Sequence, residues 1–388
     1  VVDTTTMTDM TAGRPTPASA GPVGIIGLGL IGGSLARRLV ARGIDVVAWN
    51  HRPHPYAEAE KAGIRCVPTL DALVAARPST IVLCNPLKAM PAILAVLRPL
   101  IDMTPGLDVT LTDVGSVKGM VRDQVKAAGL GSRYVGAHPM AGNELSGWSA
   151  ADPRLYDDAL WAITVDGTTD YARFLDVAWL ITAGVGDRVI VLDDDTHDKA
   201  AALISHMPHV VATAMINTLV ASPDRNIAAA LAAGSWRDMT RVALTDPDRT
   251  RAMVEEDAEN VERLLRDMAA RLLKVANLLH DERDERDIAV DAQAQADMLG
   301  FFAEGQPFRD YKAAQRAIAA RATPAGERGT EPPRDDAAPH GNPYRTVELR
   351  IDSSGDWRGE LLASARRGEH IIAFDGPFAA RAEIRSAV

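Results

Sequence analysis

The sequence predicts an α/β domain built on a parallel sheet, followed by an all-α domain. Three observations carry this expectation. Apolar strand-like runs alternate with helical segments up to about residue 193. From Thr196 onward the strand signal stops and helical periodicity takes over. The first strand runs straight into a glycine-rich turn and a helix, reading Gly-Pro-Val-Gly-Ile-Ile-Gly-Leu-Gly-Leu-Ile-Gly-Gly-Ser over residues 21–34. That turn has the G-x-G-x-x-G spacing, so the first domain reads as a Rossmann-like dinucleotide-binding fold.

Strand-like runs cover residues 23–27, 46–49, 64–67, 80–84, 109–114, 134–137, 161–165 and 188–192, with helical segments such as 90–100, 117–128 and 171–183 between them. In the first turn Gly27 permits the tight bend. Gly29 lets backbone N–H groups approach a pyrophosphate, and Gly32 lets the helix press on the strand. Together with Leu30 and Ile31 they form a helix N-terminus whose unpaired N–H groups and positive dipole end suit a diphosphate. The second strand ends Trp49-Asn50-His51-Arg52, without the acidic residue that commonly binds ribose hydroxyls. Asn50 can hydrogen-bond the ribose and Arg52 can meet a 2′-phosphate, so NAD and NADP both stay open.

After Thr196 the longest helical pattern is 246–280, whose apolar stripe includes Val254, Val261, Leu265, Leu272 and Leu279. Asp246-Pro247 supplies its N-cap and first-turn proline. Residues 323–343, rich in Pro, Gly and charged residues, read as a flexible linker. The last segment, 344–388, is strand-like at 346–351, helical at 357–367 and strand-like at 370–374, and has no assigned role. The expected organisation is a disordered tail at 1–20, a dinucleotide-binding domain at 21–193, a helical domain at 194–322, the linker, and the small C-terminal segment.

The net charge of −10 speaks against nucleic acid and anionic membranes as partners. No apolar run is expected to span a membrane, and the Thr- and Pro-rich start does not read as a signal peptide. Cys66 and Cys84 are isolated, which suits a reducing, cytoplasmic setting and offers no metal spacing.

Four polar clusters sit at element ends. In Thr112-Asp113-Val114-Gly115-Ser116-Val117-Lys118, Ser116 either caps the following helix or holds a substrate hydroxyl. In Gly136-Ala137-His138-Pro139-Met140-Ala141-Gly142-Asn143-Glu144, His138 closes a strand where strand ends face a ligand; it is a structural histidine or a proton acceptor. In Ser205-His206-Met207-Pro208-His209 two histidines share a helix face, and Pro208 should kink the helix. Further metal-ligand spacing is missing even with His197 and Asp198 upstream, so no metal is expected. In Gly234-Ser235-Trp236-Arg237-Asp238-Met239-Thr240-Arg241, Arg241 either pairs with Asp238 on a solvated helix or grips a carboxylate.

These motifs, in this order, resemble the prephenate/arogenate dehydrogenases of tyrosine biosynthesis. The matching runs are residues 27–36, Asp-Val-Gly-Ser-Val-Lys at 113–118, Ala-His-Pro-Met-Ala-Gly-x-Glu-x-Ser-Gly at 137–147, Ser-His-Met-Pro-His at 205–209 and Arg-Asp-Met-Thr-Arg at 237–241. The resemblance implies a helical dimerisation domain after the Rossmann domain, an active site in the cleft between them, and a homodimer. It implies oxidative decarboxylation of prephenate to 4-hydroxyphenylpyruvate with NAD or NADP. His138 would take the proton of the ring hydroxyl, which Ser116 would help orient. Arg241 would bind a substrate carboxylate, His209 and His206 would line the pocket, and Glu144 would control access or charge.

Arogenate, with an amino group in place of the side-chain ketone, is the nearest rival substrate. A β-hydroxyacid dehydrogenase shares the domain order, but its helical-domain lysine has no evident match here. A nucleotide-binding regulator without catalysis would not be expected to retain His138, Ser116 and Arg241 together.

Overall fold

The computed structural model describes residues 21–284, 288–322, 344–352 and 355–385. The expected tail at 1–20 and linker at 323–343 lie outside these residues. Strands β1 (Val23–Ile26), β2 (Val46–Trp49), β3 (Arg65–Cys66), β4 (Thr80–Leu83) and β5 (Thr110–Asp113) form a parallel sheet in the order β3-β2-β1-β4-β5. Every residue of β1, β4 and β5 is buried, as expected of strands covered on both faces. The covering helices include α1 (Leu30–Ala41), α2 (Tyr56–Lys61), α3 (Leu70–Ala75), α4 (Met90–Asp102) and α5 (Gly119–Ala127). Leu35 and Leu39 of α1 share one apolar cluster with Ile25 and Val82. Leu73, Leu94 and Val121 share a second with Ile26 and Ile81. The strand order reverses direction at β1/β4, which opens a crevice at the C-terminal strand ends.

The remaining strands do not extend this sheet. Tyr134 makes a single parallel bridge to Leu111 of β5, and the chain then swings away into a second sheet. Its strands β6 (Gly136–Pro139), β7 (Leu160–Thr164) and β8 (Arg188–Leu192) follow α5, and β7–β8 is its parallel pair. Helix α6 (Tyr171–Trp179) connects β7 to β8. The expectation of one largely parallel sheet is therefore corrected to two sheets, the second of mixed direction.

In the helical part, α7 (Asp194–Ala201) passes through a π-helical turn, Ala202–His206, into α8 (Met207–Ala221). Pro208 lies in the first turn of α8. The irregularity expected at Pro208 takes the form of the wider turn just before it, which accommodates the missing N–H while the helix runs on. The continuous helix Asp194–Ala221 has 28 residues and a mean hydropathy of 1.3 over its most apolar window. By length and composition alone it could cross a membrane, which corrects the expectation that no run is long enough. Its charged residues all lie in the first turns, and from Ala200 to Pro223 there is no Asp, Glu, Lys or Arg.

Helices α9 (Arg225–Leu231), α10 (Gly234–Thr240), α11 (Pro247–Glu255), α12 (Ala258–Asp284), α13 (Ile288–Ala303) and α14 (Gln306–Ala322) follow. The long helix expected over 246–280 is broken between Glu255 and Ala258. Asp257 is buried at the break, where its carboxylate meets His206 at 2.9 Å and accepts from Asn260 Nδ2 at 2.9 Å. A carboxylate committed to these partners fixes a turn that apolar periodicity does not reveal.

The C-terminal segment does not stand apart. Strands β9 (Thr346–Arg350), β10 (Glu369–Gly376) and β11 (Ala379–Ile384) complete the second sheet in the order β6-β7-β8-β10-β11-β9. β10 pairs antiparallel with β8 and so covers an edge that would otherwise be open. Helix α15 (Trp357–Arg366) places Trp357 against Tyr171 and Phe174 of α6, with ring centroids 4.7 and 5.1 Å apart. The hydroxyl of Tyr171 donates to the carbonyl of Pro377.

Candidate active site

The glycine turn lies at the C-terminal end of β1. Gly27 has φ +109°, and a Cβ there would fall 2.7 Å from the carbonyl oxygen of Cys84. A Cβ on Gly32 would fall 2.1 Å from the carbonyl oxygen of Gly27. Above Gly29, in contrast, nothing lies within 4 Å. Gly29 is the N-cap of α1, and no side chain caps that helix. The helix start is thus open to an anion just where the backbone is bare, so these residues fit a dinucleotide diphosphate. Leu30 is buried, and the carbonyl of Ile31 accepts from the Tyr156 hydroxyl at 2.7 Å, which anchors the first turn. Asn50 plays a structural part, since its Oδ1 accepts from Leu28 N–H at 2.8 Å and its Nδ2 donates to the Arg52 carbonyl at 2.7 Å. It ties the end of β2 to the glycine turn, while the Arg52 residue is exposed.

β5 and β6 bring a second group to the same edge. His138, partly buried on β6, has Nδ1 3.0 Å from Nε2 of His197 on α7, with the two rings edge to face. Nδ1 of His197 lies 2.8 Å from Oδ1 of Asp198. Asp198 Oδ1 also accepts from Lys118 N–H at 2.7 Å, and Oδ2 accepts from Gly119 N–H at 2.9 Å. Asp198 therefore caps α5 from another element. This corrects the capping reading of Ser116: α5 begins at Gly119, and Ser116 is left partly buried in the β5–α5 loop.

Beneath His138 lies a charged core. Lys118 is fully buried, ion-paired with Asp113, and its Nζ donates to the Ala137 carbonyl at 2.9 Å. Asp113 also accepts from Tyr134 Oη and Gly115 N–H, each at 2.8 Å. Burial, then the neighbouring His197, Lys118 and His206, hold His138 well below the usual histidine range. Burial opposes ionisation of Asp198, but the hydrogen bonds from His197, Lys118 and Gly119 outweigh it and lower its pKa. Burial lowers the pKa of Lys118 against the opposing pull of Asp113. The stable state of His138 is thus neutral, as a proton acceptor requires.

His206 is fully buried, and its Nδ1 faces Asp257 Oδ2 at 2.9 Å. Its Nε2 is buried without a hydrogen-bond partner. His209 is partly buried and its Nδ1–H donates to the Ser205 carbonyl at 2.9 Å. Arg241 is 63% exposed, and its guanidinium lies 3.9 Å from Glu144, not on the expected helix pair with Asp238. Arg249 of α11 clamps the Glu144 loop, donating to the carbonyls of Asn143 and Leu145 at 2.8 and 2.9 Å. Among the described residues no group of three or more potential ligands could hold a metal ion.

Sequence reasoning missed the roles of His197, Asp198, Lys118 and Arg249. The pair His197-Asp198 is visible in the sequence only as a possible metal fragment. Lys118 stands inside a recognised motif, but nothing local tells that its ammonium is buried under His138.

The same regions match known proteins. Residues 35–191 match a family model described as prephenate dehydrogenase, nucleotide-binding domain, and residues 193–290 one described as prephenate dehydrogenase, dimerization domain. The cyclohexadienyl dehydrogenase of Zymomonas mobilis is 31% identical over 243 residues, covering 61% of this chain and 80% of the relative. The chain belongs to the prephenate dehydrogenase family. That family is one of NAD-dependent oxidoreductases. Its fold agrees with solved relatives. Prephenate dehydrogenase from A. aeolicus, solved with hydroxyphenyl propionate and NAD+, is 27% identical, with a TM-score of 0.62 over 73% of this chain and 98% of that one. Synechocystis arogenate dehydrogenase is 26% identical, with a TM-score of 0.58 over 72% of this chain and 99% of that one. The first family match begins just after the glycine turn, and both end before the C-terminal strands.

Proposed function

We propose that this chain oxidises prephenate with decarboxylation to 4-hydroxyphenylpyruvate, using NAD or NADP. The observation that carries the reading is a neutral histidine, His138, on β6 of the second sheet, whose neighbour Ala137 is tied to Asp113 at the end of β5 in the sheet that presents the open glycine turn. Gly27, Gly29 and Gly32 would hold the diphosphate with the N–H groups of Leu30 and Ile31. When bound, the nicotinamide supplies the hydride acceptor. His138 takes the proton of the ring hydroxyl on Nε2, and Ser116 helps orient that hydroxyl. Loss of the ring carboxylate as CO2 leaves the product aromatic, so the chain chiefly has to align and deprotonate its substrate.

Arg241 would grip a substrate carboxylate. Its contact with Glu144 is long and exposed, so an incoming carboxylate can displace it at small cost. His209 and the unpartnered Nε2 of His206 offer further polar contacts. Arogenate is the second reading, favoured by the likeness to an arogenate dehydrogenase. Asn50 carries no charge to repel a 2′-phosphate, so both cofactors are assayed. A homodimer through the helical part is supported by the helix Asp194–Ala221, only 17% buried over its most apolar window, and by exposed Leu203, Ile204, Leu231 and Leu244. Free Cys66 and Cys84 favour the cytoplasm.

The test is formation of NADH and NADPH with prephenate and with arogenate, measured separately. Turnover with prephenate supports the reading; turnover with arogenate alone moves it to the second reading. No reduction in any of the combinations overturns both. Light scattering that gives a stable monomer of 41.5 kDa at micromolar concentration would rule out the dimer.

A further inference from the structure

We propose that His197 and Asp198 are positioning residues that fix the tautomer of His138 and leave its Nε2 as the proton acceptor. This rests on the reading of His138 as the base. The chain of protons starts at Asp198. Its two oxygens accept the backbone N–H groups of Lys118 and Gly119, so the carboxylate is ionised and can only accept. The His197 nitrogen 2.8 Å away must then carry the proton, and Nδ1–H donates to Asp198. A neutral His197 is bare at Nε2. Nδ1 of His138, 3.0 Å from that bare nitrogen, must be the donor in its turn. A neutral His138 is consequently bare at Nε2.

The proton balance is simple. The substrate O–H bond breaks, an N–H bond forms at Nε2 of His138, and the ring becomes an imidazolium. Its positive charge is stabilised through Nδ1–H and His197 by the carboxylate of Asp198, and no proton has to move to Asp198. Of the other groups around the pair, the Lys118 ammonium beneath it works against that imidazolium and is offset by its counter-ion Asp113, while His206 stands near with Asp257 behind it. Asp198 is the anion that reaches His138 through a hydrogen-bonded path. Adding one proton to the His138–His197 pair, on either ring, removes the free lone pair. The acid limb of activity therefore reads the loss of the free lone pair on Nε2 of His138.

Two measurements test this. In ligand-free protein labelled with 15N-histidine, long-range 1H–15N spectra, with His138 assigned by its loss in His138→Asn, should show Nδ1 protonated and Nε2 bare. Protonated Nε2 in neutral His138 overturns the proposal whatever the variants do. In Asp198→Asn the new amide can donate to His197, which reverses both rings. With substrate and cofactor saturating, kcat should fall about 10²- to 10⁴-fold, with the substrate KM within about threefold. His197→Gln keeps an acceptor for Nδ1–H and should retain at least tenfold more kcat than His197→Leu, with a shifted acid limb. A folded Asp198→Asn enzyme with kcat within threefold of wild type and an unmoved acid limb overturns the proposal. If the ring states are as stated but neither substrate is oxidised, the functional reading fails and the tautomer relay stands.

Discussion

Replacing Lys118 by Met should cost both stability and the acid tolerance of the enzyme. Lys118 is fully buried, and its ammonium has two partners, the Asp113 carboxylate and the Ala137 carbonyl. Met fills a similar volume without the charge, so the loss is electrostatic. Breaking a buried ion pair from one side costs about 3–5 kcal/mol, because the other charge stays behind. Asp113 would keep Tyr134 Oη, Gly115 N–H and Ala137 N–H as donors, which puts the cost at the lower end. About 3 kcal/mol corresponds to a fall in Tm of roughly 6–12 °C for a domain of this size. The charge of Lys118 also disfavours protonation of His138. Without it His138 protonates at higher pH, so the acid limb of kcat should move up. Adding Asp113→Asn to Lys118→Met should recover part of the stability, since no unpaired charge then remains. Calorimetry and pH–rate profiles of the single and double variants read this out. A Tm within about 2 °C of wild type together with an unmoved acid limb would refute the account of the buried pair.

Gly32→Ala should abolish dinucleotide binding and cost about 1–3 kcal/mol of stability, because its Cβ would fall 2.1 Å from the Gly27 carbonyl oxygen; calorimetric titration with NAD+ at unchanged affinity would contradict the loop assignment. Trp357→Ala should destabilise the whole nucleotide-binding region by about 3–5 kcal/mol, since Trp357 is 5% exposed and packs on Tyr171 and Phe174. Urea unfolding that shows β9–β11 melting alone, with the main transition unmoved, would show the C-terminal strands to be an appendage. Arg241→Gln should raise the substrate KM roughly tenfold with little change in cofactor affinity; its exposure keeps the effect well under that of a buried ion pair. Steady-state kinetics with an unchanged substrate KM would remove Arg241 from the site.

Local chemistry wrote much of this molecule into its sequence. Gly27 and Gly32 are needed by a turn only a few residues long, so the glycine spacing, together with the apolar strand before it and the helical pattern after it, made the nucleotide-binding fold legible. The strands at 46–49 and 188–192 were legible from apolar runs, and Asp246 caps its helix as its neighbours suggest. Which elements meet was decided elsewhere. Asp198 caps a helix 80 residues before it, and His138 finds His197 across 59 residues. No periodicity encodes such pairings; they exist only because β5, β6, α5 and α7 converge at one edge. The break at Asp257 and the wide turn before Pro208 likewise answer to a buried histidine and a missing N–H. The strands at 346–350 and 369–376 were visible as strands, yet while β9 pairs with β11 inside its own segment, β10 also pairs with β8, far outside it. A strand carries its pleat in its own residues, but which edge it covers is settled by what else is left to bury.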